Sequence, residues 1–331
     1  MKLLRFYRSI YHDNAIRLQN RRSLRRDLWL YAKNSALRPL ERRLVHDYRN
    51  DRLPIGFIVG TPRSGTTLLF QLIATHLRVG YPTNFVARYW MAPVYGSQRY
   101  RRQHGHTLRD IALRSQFGGT QGPHSPHEFS WFWQYWTDFG PTDDLSESEL
   151  DAIDWPSIRG ELAALAGFSG SPYVFKSLNH TVYNIARFAR ELPQSRFIYI
   201  QRDPRFVLQS ILECRVERYG DERMWWTIRP RDVASWLTRD PVEQVSHQIN
   251  DIRRGIERGL ASLPEQRKLT ITYEDMIADP RGVLLRVSEL LMDAPFRDDS
   301  QLSRLSLTNG NLQRVDAARF ERFEQELARC V

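Results

Sequence analysis

At 331 residues, with 41% apolar and 26% charged side chains, the chain can bury one large α/β core, and it has no uncharged apolar run of the roughly 18 residues a membrane span needs. The N-terminus lacks a long apolar core followed by a cleavage site, and two distant cysteines, Cys214 and Cys330, argue against a zinc site and against a disulfide framework. The net charge of +10 is unevenly placed: residues 1–52 hold 14 Lys and Arg against 5 Asp and Glu, and the remainder is close to neutral.

Residues 1–52 read as a basic helical arm, in which Leu24, Leu28, Tyr31, Leu37, Leu40 and Leu44 form an apolar stripe among Arg21, Arg22, Arg25, Arg26, Arg42 and Arg43. Docking on the rest of the chain or pairing with a second copy is the first expectation for such an arm, and contact with an anionic membrane surface the next. Nucleic acid suits the charge, but no recognised binding motif accompanies it. No repeat, low-complexity tract or linker interrupts residues 53–331, which are expected to form a single domain.

The stretch GFIVGTPRSGTTLL, Gly56–Leu69, reads as a buried strand, a donor-rich turn and a helix whose face carries Leu68, Leu69, Leu72, Ile73 and Leu77. Backbone N–H groups at a helix start carry partial positive charge, and Gly65 admits an oxyanion closely, so the turn predicts an anion cradle. Arg63, Ser64, Thr66 and Thr67 are its candidate side-chain donors. The spacing of Gly60 and Gly65 matches the nucleotide-triphosphate P-loop, with Thr67 in the Ser/Thr place, yet Thr66 stands where that loop has its lysine and the positive charge has moved to Arg63. A less charged donor than a magnesium-bound triphosphate fits such a turn, and no metal site is expected.

Residues 78–170 show few strands but contain GGTQGPHSPHEFSWFWQYW, Gly118–Trp136, where Trp131, Trp133 and Trp136 are candidate walls for a sugar or apolar acceptor, or core residues of a helix. YVFKSLNH, Tyr173–His180, reads as a strand that delivers Lys176 to its C-terminal end, where open α/β sheets place ligands; the chain has only three other lysines, Lys2, Lys33 and Lys268. FIYIQRDPRFVLQSIL, Phe197–Leu212, reads as a strand ending near Gln201, a turn at Arg202–Arg205, and a helix presenting Ser210. Tyr219–Trp236, with Trp225 and Trp226, is a candidate lid or interface segment. LTITYEDMIADPRGVLLRVSELL, Leu269–Leu291, adds a late strand and helix with Tyr273 between them.

From about Ile55 to Leu291 these motifs, in this order, resemble the sulfotransferases that use 3′-phosphoadenosine-5′-phosphosulfate. The resemblance implies a P-loop-like three-layer α/β sandwich with a central, largely parallel sheet and helices on both faces. It also implies that Arg63, Ser64, Gly65, Thr66 and Thr67 hold the 5′-phosphosulfate, that Arg202 and Ser210 hold the 3′-phosphate, and that Tyr273 lies near the nucleotide. Lys176 and Arg63 would stabilise the transferring group and the departing phosphate, leaving adenosine 3′,5′-bisphosphate as product.

The common cytosolic branch has its catalytic histidine two residues after the strand lysine. That place is Leu178 here, with a histidine only at His180, so the chain looks closer to the tyrosylprotein, carbohydrate and bacterial branch. Glu128, in a Pro- and Gly-bounded segment beside aromatic residues, is the candidate general base, with His124, His127 and His180 as competitors. The expected acceptor is a hydroxyl of a carbohydrate, lipid or small metabolite, and the expected location the cytoplasm, with contact to a membrane surface or a homodimer through the arm. A P-loop kinase and a non-catalytic anion- or membrane-binding protein are the competing readings.

Overall fold

The computed structural model describes residues 24–105, 111, 113, 115–116, 118–137, 142–297, 302 and 305–329. Helix α1 (Leu24–Tyr48) leads into β1 (Ile55–Val59), the turn Gly60–Gly65 and α2 (Thr66–His76). The chain continues through α3 (Pro93–His104), a short hairpin of β2 (Ser115–Gln116) and β3 (Gly119–Thr120), α4 (Ser130–Thr137), α5 (Trp155–Ser169) and β4 (Tyr173–Lys176). Next come α6 (Leu178–Thr181), α7 (Ile185–Glu191), β5 (Ser195–Gln201), α8 (Pro204–Tyr219) and α9 (Pro241–Ala261). β6 (Lys268–Thr272), α10 (Tyr273–Ala278), α11 (Pro280–Leu290) and α12 (Ala317–Arg329) complete the order.

β1 and β4 read IGFIV and YVFK and are buried throughout, the continuous apolar pattern of strands covered on both faces. They belong to a four-stranded sheet of order β4-β1-β5-β6 in which every pair is parallel. Alternation along the strands sends Phe57, Phe175 and Phe197 to one face, where Phe57 stacks on the other two at centroid distances of 5.9 and 5.5 Å. Trp133 of α4, Trp155 of α5 and Phe188 of α7 cover this face. Ile58, Val174, Ile198, Ile200 and Ile271 point to the opposite face and pack beneath α2 and α11. All strand C-termini therefore open at one end, and the turns that follow them meet there.

Helix starts after the strands are written in the local sequence. Asp154, Asp203, Asp240 and Asp279 each precede a residue pair with Pro at the first or second helical position, and each side chain accepts a backbone N–H of its own helix. Thr272 caps α10 in the same way through the N–H of Asp275, 3.0 Å away.

Two sequence expectations change. The apolar stripe assigned to the arm divides: Leu44 is buried and Tyr31 and Leu37 pack against the core, whereas Leu28 and Leu40 are exposed, and Asp27, Asn34 and Glu41 join the inward face at heptad spacing. Polar partners across the interface hold these inward polar side chains. Asn34 donates to the carbonyl of Arg88 at 3.0 Å and accepts the N–H of Met91, and Arg38 donates to the Met91 carbonyl and pairs with Glu161 of α5 at 2.5 Å. Of the candidate acceptor walls, Trp133 and Trp136 are core residues, and only Trp131 stays partly exposed, edge-on to Trp90 at 4.6 Å. Trp225 is likewise buried, its indole N–H donating to the Ile228 carbonyl. Cys214 is buried and free, while Lys2 and Cys330 lie outside the described residues.

Candidate active site

The turn after β1 is built around two glycines and a strained arginine. A Cβ on Gly60 would lie 2.8 Å from the Ile200 carbonyl oxygen and 2.7 Å from the Ser64 hydroxyl, so only glycine lets the turn fold back over β5. Gly65 has φ of 95° and a would-be Cβ 2.6 Å from the Tyr273 ring, while Arg63 holds a left-handed φ of 68°. Ser64 braces the turn from inside: its N–H and its hydroxyl both donate to the Thr61 carbonyl, at 3.2 and 2.8 Å. Its expected part as a side-chain donor to an anion is thus taken up within the turn. Helix α2 begins at Gly65 with no side-chain cap, unlike the Asp- and Thr-capped helices after it.

Beside this open helix start, the second motif closes in. Arg63 Nε donates to Ser210 Oγ of α8 at 2.9 Å, joining two residues 147 apart in sequence. Arg202 Nη1 donates to the Arg63 carbonyl at 2.8 Å, and its guanidinium lies over the Tyr273 ring at 4.4 Å. The remaining contacts of Arg202 run to a segment that sequence reasoning missed: Nε to Asn311 Oδ1 and Nη2 to the Gly310 carbonyl, each at 2.7 Å. Tyr273 accepts the Gly310 N–H, Asn311 donates to Glu274, and Gln209 of α8 donates to the Leu312 carbonyl. The only sequence signal there was the turn-forming Asn309–Gly310–Asn311. Burial pushes the Arg202 guanidinium below its ordinary pKa, with Tyr273 opposing and Arg63 adding to the shift, so the site concentrates cationic charge in a partly desolvated place. A cleft of about 200 Å³ opens beside Arg202, lined by Thr61, Gln201, Arg253, Thr272 and Glu274 among others.

A third group gathers at the opposite side of α2. Lys176, at the end of β4 and only 3% exposed, donates to Thr67 Oγ1 at 2.7 Å and pairs with the half-buried carboxylate of Glu128. Gly118, in a left-handed conformation with φ of 85°, lies over them: a Cβ there would be 3.2 Å from Glu128 Oε1 and 3.3 Å from Lys176 Nζ. Gly118 was part of the Gly-rich segment noted in the sequence, but nothing local announced that it roofs the lysine. Glu128 is held by the backbone next to it. Phe129 is fully buried with φ of 61°, and its N–H donates to His127 Nδ1 at 2.8 Å.

Two of the competing histidines have partners outside this cluster. His127 spends Nδ1 on that turn, and His124 meets the Tyr100 hydroxyl at 2.6 Å with its ring 4.9 Å from His104. His180 is a residue of α6, and its side chain lies outside the described residues.

An uncapped helix start joined by two arginines, a serine, a lysine and a carboxylate gathers charged and hydroxyl groups round open backbone donors, and its sequence environment matches a known profile. The profile described as "Sulfotransferase family" matches residues 54–298, most of the chain. The chain belongs to the sulfotransferase family. Two relatives, the proteins named omega-hydroxy-beta-dihydromenaquinone-9 sulfotransferase Stf3 of Mycobacterium bovis and of Mycobacterium tuberculosis, are each 26% identical to this sulfotransferase over 261 residues. The match covers 71% of this chain and 62% of theirs, so the chain spans less than two thirds of the relatives' length. The crystal structure of sulfotransferase STF9 from Mycobacterium avium has the same fold, with a TM-score of 0.55 at 16% identity over 96% of this chain and 84% of that one.

Proposed function

We propose that this sulfotransferase moves a sulfuryl group from 3′-phosphoadenosine-5′-phosphosulfate to a hydroxyl of a small-molecule or lipid acceptor. The observation that carries the reading is the uncapped start of α2, flanked by Arg63, Arg202 and Ser210 on one side and by Lys176 and Glu128 on the other. The two arginines suit the donor's separate phosphates, and the N–H groups of Gly65, Thr66 and Thr67 suit its phosphosulfate. The donor brings an activated sulfur with a good leaving phosphate; the residues have to bind it, orient the acceptor and handle one proton.

In this reading Glu128 takes the proton of the acceptor hydroxyl as that oxygen attacks sulfur in line. Lys176, linked to both Thr67 and Glu128, spans the transferring group and the departing oxygen and supports the charge that builds there. The left-handed turn at Phe129 points Glu128 at Lys176, and Gly118 keeps the space above them narrow. A lipid or small-molecule hydroxyl as acceptor is favoured by the relatives, whose name specifies a hydroxylated menaquinone derivative.

Calorimetry with adenosine 3′,5′-bisphosphate, against ATP with magnesium, tests the donor. Tight binding of the bisphosphate and weak binding of ATP are expected, because Thr66 replaces the lysine that a triphosphate needs. Glu128→Gln should lower turnover by about 100-fold or more while bisphosphate affinity holds, since the base acts only in chemistry. Normal turnover by that variant, with loss in His180→Ala, would move the base to the histidine.

A further inference from the structure

Helix α1 buries Asp27, Asn34 and Glu41 among Leu30, Tyr31, Leu37 and Leu44, and it presents a second set of apolar side chains to solvent among arginines. Asp27, Asn34 and Glu41 are buried, whereas Trp29 is 62% exposed, Leu28 43% and Leu40 42%. Arg25, Arg26, Ala32, Ala36, Arg42 and Arg43 share the outward side at helical spacing with them, and every one is exposed. Asp27 and Glu41 point inward, so the outward carboxylate of α1 is Asp47, in its last turn. The inward face already supplies the apolar contact that holds α1 to the body, so Trp29, Leu28 and Leu40 are apolar surface beyond what that packing uses.

We propose that the outward face of α1 docks on an anionic lipid bilayer. Its exposed arginines complement acidic headgroups, and an exposed Trp beside Leu matches the chemistry of the membrane–water interface, where the indole sits at headgroup level. Residues 1–23 carry the same sign, with Lys2, Arg5, Arg8, Arg17, Arg21 and Arg22 against Asp13. No helix among the described residues is long and apolar enough to cross a membrane, so the contact is peripheral.

The position of the face gives it a purpose. Lys33 stands over the Tyr89 ring at 3.9 Å and within 5.6 Å of the Trp29 ring. Trp90, next in the chain, meets Trp131, three residues after Glu128. A bilayer docked at Trp29 is thereby linked, through contacts of Lys33 with Tyr89 and of Trp90 with Trp131, to the segment that carries Glu128. The proposal does not depend on the donor's identity.

Flotation of the full chain with vesicles of phosphatidylcholine containing about 30 mol% phosphatidylserine, and with phosphatidylcholine alone, tests it. Binding to the anionic vesicles alone, weakened by salt, is expected. Arg25→Gln with Arg26→Gln should reduce that binding by about fivefold for each arginine, and Trp29→Ser should reduce it in either background. Bisphosphate affinity measured on the same variants should match wild type, which separates this proposal from the reading of the donor site. Equal flotation on both vesicle types, or variants that float like wild type, would overturn it. So would a concentration-dependent dimer in sedimentation that Trp29→Ser dissolves, because the face would then belong to a second copy.

Discussion

The starts of α2 and α3 both lack a cap from the residue before them, and the chain treats them in opposite ways. At the start of α3, the N–H groups of Val94 and Tyr95 donate to the two oxygens of Glu41, at 2.7 and 2.9 Å, a carboxyl group supplied by α1 from more than fifty residues away. At the start of α2 no side chain fills that place, and arginines approach instead. A helix start needs an acceptor. The first is satisfied from within and fixes α1 to the body; the second is left open, and in the proposed reading the donor's phosphosulfate fills it. The difference separates a structural cap from a binding site by one criterion, whether the protein itself provides the acceptor.

Emptying the internal cap should have the largest effect on folding. Glu41→Ala leaves two buried N–H groups without an acceptor and breaks the hydrogen bond to Glu161, which should cost about 2–4 kcal/mol of stability. Thermal unfolding should show a drop of several degrees while bisphosphate affinity in the folded fraction stays near wild type. A loss of affinity equal to that of the α2-turn variants would mean that the two helix starts are not independent.

The mirror experiment is made at α2. Arg202→Ala should weaken bisphosphate binding by about 10- to 100-fold and remove most of the preference for a 3′-phosphorylated donor over adenosine-5′-phosphosulfate, because charge-assisted arginine contacts contribute about 1.5–3 kcal/mol. Its contacts to Gly310 and Asn311 go with it, so comparison with Asn311→Ala apportions the loss between the guanidinium and the segment it holds. Arg63→Ala should weaken the same ligand by a similar or smaller factor, and Thr66→Ala by less, with melting temperatures close to wild type. Unchanged affinity in all of these variants would remove the α2 turn from the donor site.

The two helix starts also differ in how far the sequence announced them. The α2 turn is a local pattern: an apolar strand, two glycines five residues apart and a run of hydroxyls specify its geometry within fourteen residues. Asp-Pro pairs marked the helices that follow for the same reason, since a cap and its N–H groups are neighbours in the chain. The α3 cap was illegible because its parts come from three segments. Glu41 belongs to α1, its N–H donors to α3 and its partner Glu161 to α5, and periodicity does not mark a carboxyl set within an otherwise apolar inward face. In the sequence, Trp133 and Trp136 stay open between two readings for a different reason. Their spacing fits both a core and a ligand wall, and only the aromatic row of Phe57 and Phe175 across the sheet decides for the core. The pairing of Lys176 with Glu128 depends on a loop crossing that no local pattern records.

The smallest effect belongs to the internal cap, and it reads out the proton that the cap holds. Burial and the neighbouring Glu161 push Glu41 up to about 9 from an ordinary 4.5, with Arg38 favouring the charged form of Glu161. Between those two values the folded protein keeps a proton that the unfolded chain releases, so this group's contribution is complete at low pH and declines as pH rises toward 9. Asp143, pushed up to about 7 by burial, acts in the same direction, but its contribution is spent by about pH 7. The interval from pH 7 to 9 therefore reads Glu41 together with its partner Glu161, which burial also pushes up. Glu41→Gln keeps an oxygen to accept a backbone N–H and an amide to donate to Glu161, yet has no proton to lose. Its stability should decline less steeply over that interval than wild type, by up to the slope of one proton, about 1.4 kcal/mol per pH unit at most. Chemical denaturation at pH 7, 8 and 9 measures the slopes; parallel lines for the two proteins would show that Glu41 is ionised in the folded state and that α3, like α2, starts on a true anion.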